Sequence, residues 1–326
     1  MLAIEISSFG APEVLKPAER PKPVPKEDEI LIRVEAAGVA RADTLQRQGK
    51  YPPPPGASDI PGLDVAGTIY SLGSAVHNFH AGDRVCAILA GGGYAEFCAV
   101  PVVQVLPIPQ GWTSIEAATL PENLFTVYDN LITRAALARG ETALIHGGTS
   151  GIGSMAIMLS RAWGATPIAT AGSSKKCDAC LNFGAATAIN YREQDFVVET
   201  KRFTAGKGVD VVLDLVGGPY LARNLDALAP EGRLSIVATQ GGRAAQLDLF
   251  ALMQKRARIL ASTMRARTAE QKGEIAQRLL RDVWPKLPAK DPIRPVVDST
   301  FPLAEASRAH QHMESGQHIG KIVLVP

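Results

Sequence analysis

Thr142-Ala143-Leu144-Ile145-His146, then Gly147-Gly148-Thr149-Ser150-Gly151-Ile152-Gly153, then an amphipathic stretch over 154–163: this run decides the fold. An apolar strand, a glycine-rich turn and a helix follow one another in the order that a doubly wound α/β sheet uses to meet a phosphate. Backbone amides at the start of the helix face the anion, and the helix dipole favours its charge. Counted from Gly148, the usual G-x-G-x-x-G pattern is altered, with Ser150 in place of the middle glycine and Gly151 added. Gly148, Ser150, Gly151, Ile152 and Gly153 are therefore the expected anion-facing positions.

The surrounding chain supports this reading. Strands are expected over 142–146, 166–170, 187–190, 209–214, 233–238 and 258–262, and each gap has room for one helix. That is the cadence of βαβ units and of a six-stranded parallel sheet. Thr113-Ser114-Ile115-Glu116 reads as a capping box just ahead of it. Beyond Ser262 the cadence stops, leaving a predicted helix over 270–287 and a last strand over 321–325. Upstream, short strands over 30–36, 62–70, 83–89 and 94–103 are punctuated by Gly, Pro and Asp, as in a small barrel or sandwich. Between them the four prolines Pro52 to Pro55 cannot donate to a ladder and make a stiff, exposed loop. The last strand is expected to return to this first part. The organisation is then α/β: residues 1–119 and 263–326 make one domain from both chain ends, and 120–262 form an inserted six-stranded Rossmann domain.

Composition limits the function classes. Of 326 residues 46% are hydrophobic and 20% charged, and the net charge is +2 without a long basic run, so nucleic acid is not an expected partner. No segment reaches the roughly 18 consecutive apolar residues of a membrane helix. The opening Met1-Leu2-Ala3-Ile4-Glu5-Ile6 alternates like a strand and lacks the basic and apolar regions of a signal peptide. Four cysteines suit a reducing compartment, and a cytoplasmic protein is expected.

Cofactor choice is read at the end of the second predicted strand. A site for NAD places Asp or Glu there, on the ribose 2′-hydroxyl. Here the run is Thr170-Ala171-Gly172-Ser173-Ser174-Lys175-Lys176, with two lysines and no carboxylate. Two cations opening a helix oppose its dipole unless an anion lies nearby, and ammonium plus hydroxyl groups suit a 2′-phosphate. NADP(H) is the expected cofactor.

The chain resembles the zinc-independent quinone oxidoreductases of the medium-chain dehydrogenase/reductase superfamily over its whole length. The resemblance is strongest to the tumour-suppressor-inducible quinone oxidoreductase subgroup. It rests on Arg41-Ala42-Asp43, Gln46-Arg47-Gln48-Gly49-Lys50-Tyr51, Pro53-Pro54-Pro55-Gly56-Ala57-Ser58, Gly217-Gly218 and Ile319-Gly320-Lys321-Ile322-Val323-Leu324. It implies a GroES-like β-barrel for the two chain ends, a cleft between the domains and a homodimer paired through the sixth Rossmann strand. It implies that Ser173, Lys176 and Tyr191 surround the 2′-phosphate and that Tyr51, Thr126 and Val127 approach the nicotinamide. Gln240, Gly241, Gly242, Met264, Arg265 and Lys321 would close over the cofactor. The zinc-dependent branch draws its catalytic ligands from places that correspond here to Ala40, Leu63 and Glu122. Alanine and leucine cannot ligate, and the four-cysteine structural lobe is missing between Ala90 and Ala99. Cys177-x-x-Cys180 is half a zinc ribbon and reads as helix packing, and His310, His312 and His318 read as solvated or capping histidines. No metal is expected.

Without a Lewis acid, hydride transfer suits acceptors that are already electron-poor, namely quinones and α,β-unsaturated carbonyls. Tyr51 is a candidate donor to the acceptor oxygen or a stacking ring, and Asp43 a candidate orienting carboxylate or a surface or capping aspartate. The expected function is NADPH-dependent reduction of a small quinone or enone. A 2-alkenal or enoyl-thioester reductase and a non-catalytic NADPH-binding protein remain as alternatives.

Overall fold

A computed structural model describes all 326 residues. They divide into two compact units, one made of Met1–Phe125, Met264–Lys290 and Pro295–Pro326, the other of Thr126–Thr263 and Asp291–Arg294. The chain passes from the first to the second within the helix Pro121–Val127, a few residues beyond the domain boundary expected at 119.

In the second unit, Thr142–Ile145, Thr166–Ala171, Thr187–Asn190, Val209–Asp214, Leu228–Ile236 and Arg258–Ala261 form one parallel sheet. Numbered along the unit, the strands lie in the order 3-2-1-4-5-6, the doubly wound arrangement that reverses between strands 1 and 4. Leu144, Ile168, Ile189, Val212 and Leu234 meet Phe196 in its core, because a sheet covered on both faces needs apolar side chains along its strands. The fifth strand starts at Leu228 rather than 233. The register shifts between Val209 and Val211, so the chain bulges over 229–232, and Glu231 takes a φ of 63° there.

The other unit is built on the long strand Glu29–Val39. It pairs antiparallel with Asp64–Leu72, Phe97–Pro101 and Lys321–Val325. Arg84–Ile88 and Val105–Pro107 continue the sheet on one side and Val297–Pro302 on the other. Strands from both chain ends thus share one sheet and one core, in which Ile32, Val39, Val65, Val85, Ile322 and Leu324 are buried. The helix expected over 270–287 ends early. Ala269–Asp282 is α-helical behind a Thr268–Gln271 capping box, and Trp284–Ala289 tightens to 3-10 where Pro285 and Pro288 remove amide donors. No helix is long and apolar enough to cross a membrane.

Candidate active site

The glycine loop closes tightly on the helix it starts. That helix runs Gly151–Ala162, so Gly151, Ile152 and Gly153 are its first turn and not part of the preceding loop, as a start at 154 would have had it. Ser150 is the N-cap. Its Oγ accepts the Gly153 N–H at 2.9 Å and donates to the Gly147 carbonyl at 2.8 Å, so the hydroxyl is engaged within the loop. A Cβ on Gly153 would stand 2.2 Å from the Gly147 carbonyl oxygen, and one on Gly148 2.6 Å from Cys180 Sγ. Only glycine permits this packing, which also gives the buried Cys180 an ordinary role. The Gly151 and Ile152 amides have no acceptor in the protein, and two open N–H groups at the positive end of a 12-residue helix can hold an anion. Beneath the loop, His146 Nε2 donates to Asn224 Oδ1 at 2.8 Å and Nδ1 lies 3.0 Å from Thr170 Oγ1. Burial lowers its pKa to about 4, so this histidine is neutral and adds no cation.

Gly172, Ser173, Lys176 and Tyr191 gather past the second strand. A Cβ on Gly172 would stand 2.6 Å from the Tyr191 hydroxyl and 3.5 Å from Arg192 Nε. Ser173 caps the helix Ser174–Asn182, its Oγ accepting the Lys176 N–H at 3.4 Å. Arg192 escaped the sequence reading; its only signal was its place after Tyr191. Past the fifth strand, the Gln240 and Gly241 amides donate to the Leu215 and Val216 carbonyls at 3.2 and 2.8 Å, and Gly218 N–H donates to Gly242 O at 2.9 Å. The turns after strands 4 and 5 are thereby laced together. The Thr126 carbonyl accepts Asn130 Nδ2 at 2.9 Å, while Asn130 Oδ1 receives the hydroxyls of Ser235 and Ser262 at 3.2 and 2.9 Å. This knot fixes the π-helical segment Tyr128–Arg134, and Val127 is fully buried ahead of it.

In the first unit, Tyr51 stands on the proline loop with its hydroxyl free of any protein partner and its ring centroid 5.4 Å from the Arg265 guanidinium carbon. Burial raises the phenol pKa, with Arg265 opposing and Glu122 adding, so the group stays a neutral donor. Arg265 is buried, and its guanidinium donates to Ala90 O at 2.8 Å, Tyr51 O at 3.1 Å and Gln46 Oε1 at 2.7 Å. It holds three loop segments together, a role the sequence did not show. Lys272, also buried, donates to the Arg265 carbonyl at 3.1 Å; burial lowers its pKa to about 8. Met264 is buried beside Arg265 in the chain.

Asp43 is neither a surface residue nor an open carboxylate. Fully buried, it accepts from the Ala40 N–H at 2.8 Å, the Gly62 N–H at 3.1 Å and the Tyr94 hydroxyl at 3.1 Å. It caps the helix Arg41–Arg47 and ties it to the Gly62 turn. The Tyr94 hydroxyl also meets His310 Nε2 at 3.0 Å. The expectation of a solvated or capping His310 is therefore corrected. The residue is completely buried, and burial lowers its pKa to about 3. His312 instead pairs with Asp298 at 2.7 Å.

Lys321, expected to close over the cofactor, has its ammonium buried between carboxylates, 2.6 Å from Asp64 and 3.5 Å from Glu122. The Glu122 N–H donates to Asp64 Oδ1 at 2.5 Å, so Asp64 caps the helix Pro121–Val127 from outside. Asp64 was visible in sequence only as the neighbour of Leu63, and Glu122 only as a place that corresponds to a zinc ligand of the zinc-dependent branch. No group of three His, Cys, Asp or Glu side chains is arranged to hold a metal ion.

The sheet order, the open helix N-terminus and the loops past strands 1, 2 and 5 define a dinucleotide-binding dehydrogenase or reductase. Residues 151–280 match the family model described as zinc-binding dehydrogenase, and residues 26–110 that of the alcohol dehydrogenase GroES-like domain. The chain is 30% identical over 331 residues to the quinone oxidoreductase of Homo sapiens, spanning 100% of this chain and 98% of the relative. It is similar to the solved Escherichia coli quinone oxidoreductase complexed with NADPH, with a TM-score of 0.85, 30% identity and full coverage of both chains. It is also similar to a solved enoyl reductase, with a TM-score of 0.86 and 27% identity over 99% of this chain and 98% of that one. The chain belongs to the medium-chain dehydrogenase/reductase superfamily, with quinone oxidoreductases as full-length relatives.

Proposed function

We propose that this chain is an NADPH-dependent reductase that passes hydride to quinones or other electron-poor α,β-unsaturated carbonyls without a metal. The observation that carries the reading is the shape of the second unit's C-terminal sheet edge. The Gly151 and Ile152 amides are open to a pyrophosphate, Tyr191 and Arg192 approach Gly172, and Ser173 caps the helix that carries Lys176, with no carboxylate in the run 170–176; this set would suit a 2′-phosphate. These residues fit NADP(H), which when bound supplies the hydride. The protein's part is to orient the acceptor and to meet the charge that develops on its oxygen. Tyr51, a neutral phenol with an unengaged hydroxyl on the proline loop, would supply a hydrogen bond to that oxygen. Ala40 and Leu63 offer no ligating atom, so polarisation of the acceptor falls to hydrogen bonding. Gln240 to Gly242 and Thr126 would line the cofactor from the second unit, with small cytoplasmic quinones or enones as substrates.

Likeness to an enoyl reductase favours a second reading, reduction of 2-alkenals or enoyl thioesters. One assay separates them: NADPH oxidation followed across quinones, 2-alkenals and enoyl thioesters. Turnover with quinones at the highest kcat/KM is expected. Preference for thioesters would replace the substrate class, and binding of NADPH with no turnover on any acceptor would leave a non-catalytic NADPH-binding protein.

A further inference from the structure

We propose that Glu122, packed against the Lys321–Asp64 ion pair, is the proton donor to the acceptor oxygen, with Lys321 and Asp64 as the residues that position it. The inference rests on the reductase reading above. Within the first unit the cluster has a definite inside and outside. Asp64 is completely buried and the Lys321 side chain is 4% exposed, whereas the Glu122 side chain keeps 20% of its surface open. Only Glu122 can therefore meet a substrate and be recharged by water.

The charges decide where the proton resides. Asp64 holds both neighbours closely, through the ammonium at 2.6 Å and the Glu122 N–H at 2.5 Å. Glu122 has only the looser 3.5 Å contact with that same ammonium. One ammonium faces two carboxylates, with the Asp43 carboxylate adding to their field, so one negative charge is in excess and the less well-held carboxyl takes the proton. Accordingly, burial pushes Glu122 up to about 7; Lys321 pulls it down, and Asp64 and Asp43 add to the rise. Burial alone would depress Lys321, but Asp64 and Glu122 more than offset that and keep its ammonium charged. The charge of Glu122 is also felt at Tyr51, where it adds to the rise that burial gives the phenol's pKa.

The step balances. Hydride from the reduced cofactor brings two electrons and one hydrogen to the acceptor. The acceptor oxygen gains a proton as the Glu122 O–H bond breaks, and the carboxylate left behind takes a proton from solvent. Glu122 must be protonated to act, so activity is present below its pKa and is lost as pH rises through about 7.

The test compares wild type, Glu122→Gln and Glu122→Asp from acid to alkaline pH with one quinone, together with a carboxyl ¹³C titration of the cofactor-free wild type. Wild-type kcat should fall about tenfold per pH unit above the pKa, and Glu122→Gln should lower kcat by roughly 10²-fold and flatten the profile, the usual scale for a lost general acid. Glu122→Asp should restore a pH-dependent limb. The ¹³C titration should show one carboxyl with a midpoint near 7, and it decides the matter alone if Glu122→Gln does not fold. A Gln variant with wild-type rate and profile, or a Glu122 carboxyl that titrates in the ordinary carboxylate range, overturns the inference and leaves the reductase reading standing. A wild type that turns over none of the quinones, 2-alkenals or enoyl thioesters ends both together.

Discussion

Lys176 follows the cap Ser173, and its place was legible because it depends on a few adjacent residues: the end of a strand, a missing carboxylate and the start of a helix. Replacing it with alanine removes one cation from the first turn of the helix that Ser173 caps. NADPH binding should weaken by about 1.5–3 kcal/mol, the range for a hydrogen bond to a charged group, while NADH binding stays nearly unchanged. Calorimetric titration of both cofactors checks this, and equal losses would show that the lysine does not read the 2′-phosphate. Arg192 could not be ranked in the same way. Its nearness to Gly172 follows from the parallel pairing of Thr187–Asn190 with Thr166–Ala171, which brings the two strand ends together.

The loops of the first unit depend on an arginine that looked like a cofactor ligand. Ala90, Tyr51 and Gln46 each offer a single oxygen, and the planar guanidinium of Arg265 reaches all three. An ammonium is a point donor on a flexible stem and cannot span that set. Arg265→Lys should lower stability by about 2–3 kcal/mol in urea unfolding and raise KM for the acceptor, because Tyr51 and the loop at Ala90 lose their common anchor. The NADPH Kd should stay within about twofold. A variant whose main loss is NADPH affinity, with stability intact, would return the guanidinium to the cofactor site.

The six-stranded sheet has two edge strands, Thr187–Asn190 and Arg258–Ala261. Arg258–Ala261 is hydrogen-bonded on one side only. In the helix just ahead of it, Leu249–Lys255, Leu249, Phe250 and Met253 are 64%, 66% and 69% exposed. A bare strand edge with an apolar helix nearby is a liability in solution unless another copy covers it. Light scattering at micromolar concentration should give twice the 34.5 kDa of one chain, and Phe250→Lys should shift the mass toward one chain. A wild-type mass of one chain would reject the dimer.

The features that the sequence by itself determined are local ones. Six strands, the glycine loop and the missing carboxylate at the second strand follow from periodicity, turn chemistry and the close packing that only Gly148 and Gly153 allow, all within a few residues of each other. Even here the helix start moved to Gly151, because a glycine reads as turn until its neighbours show it packed in a first turn. The tertiary structure alone decided the charged interior of the first unit. Lys321 meets Asp64 and Glu122, Tyr94 bridges Asp43 and His310, and Arg265 reaches Gln46, each across a long stretch of chain. The physical reason is that a carboxyl's proton affinity and an arginine's partners depend on which groups surround them and how much water is excluded. No spacing along the chain encodes that. His310 was misread for this reason: on its own helix it is one of two nearby histidines, and only the fold shows that it is buried against Tyr94.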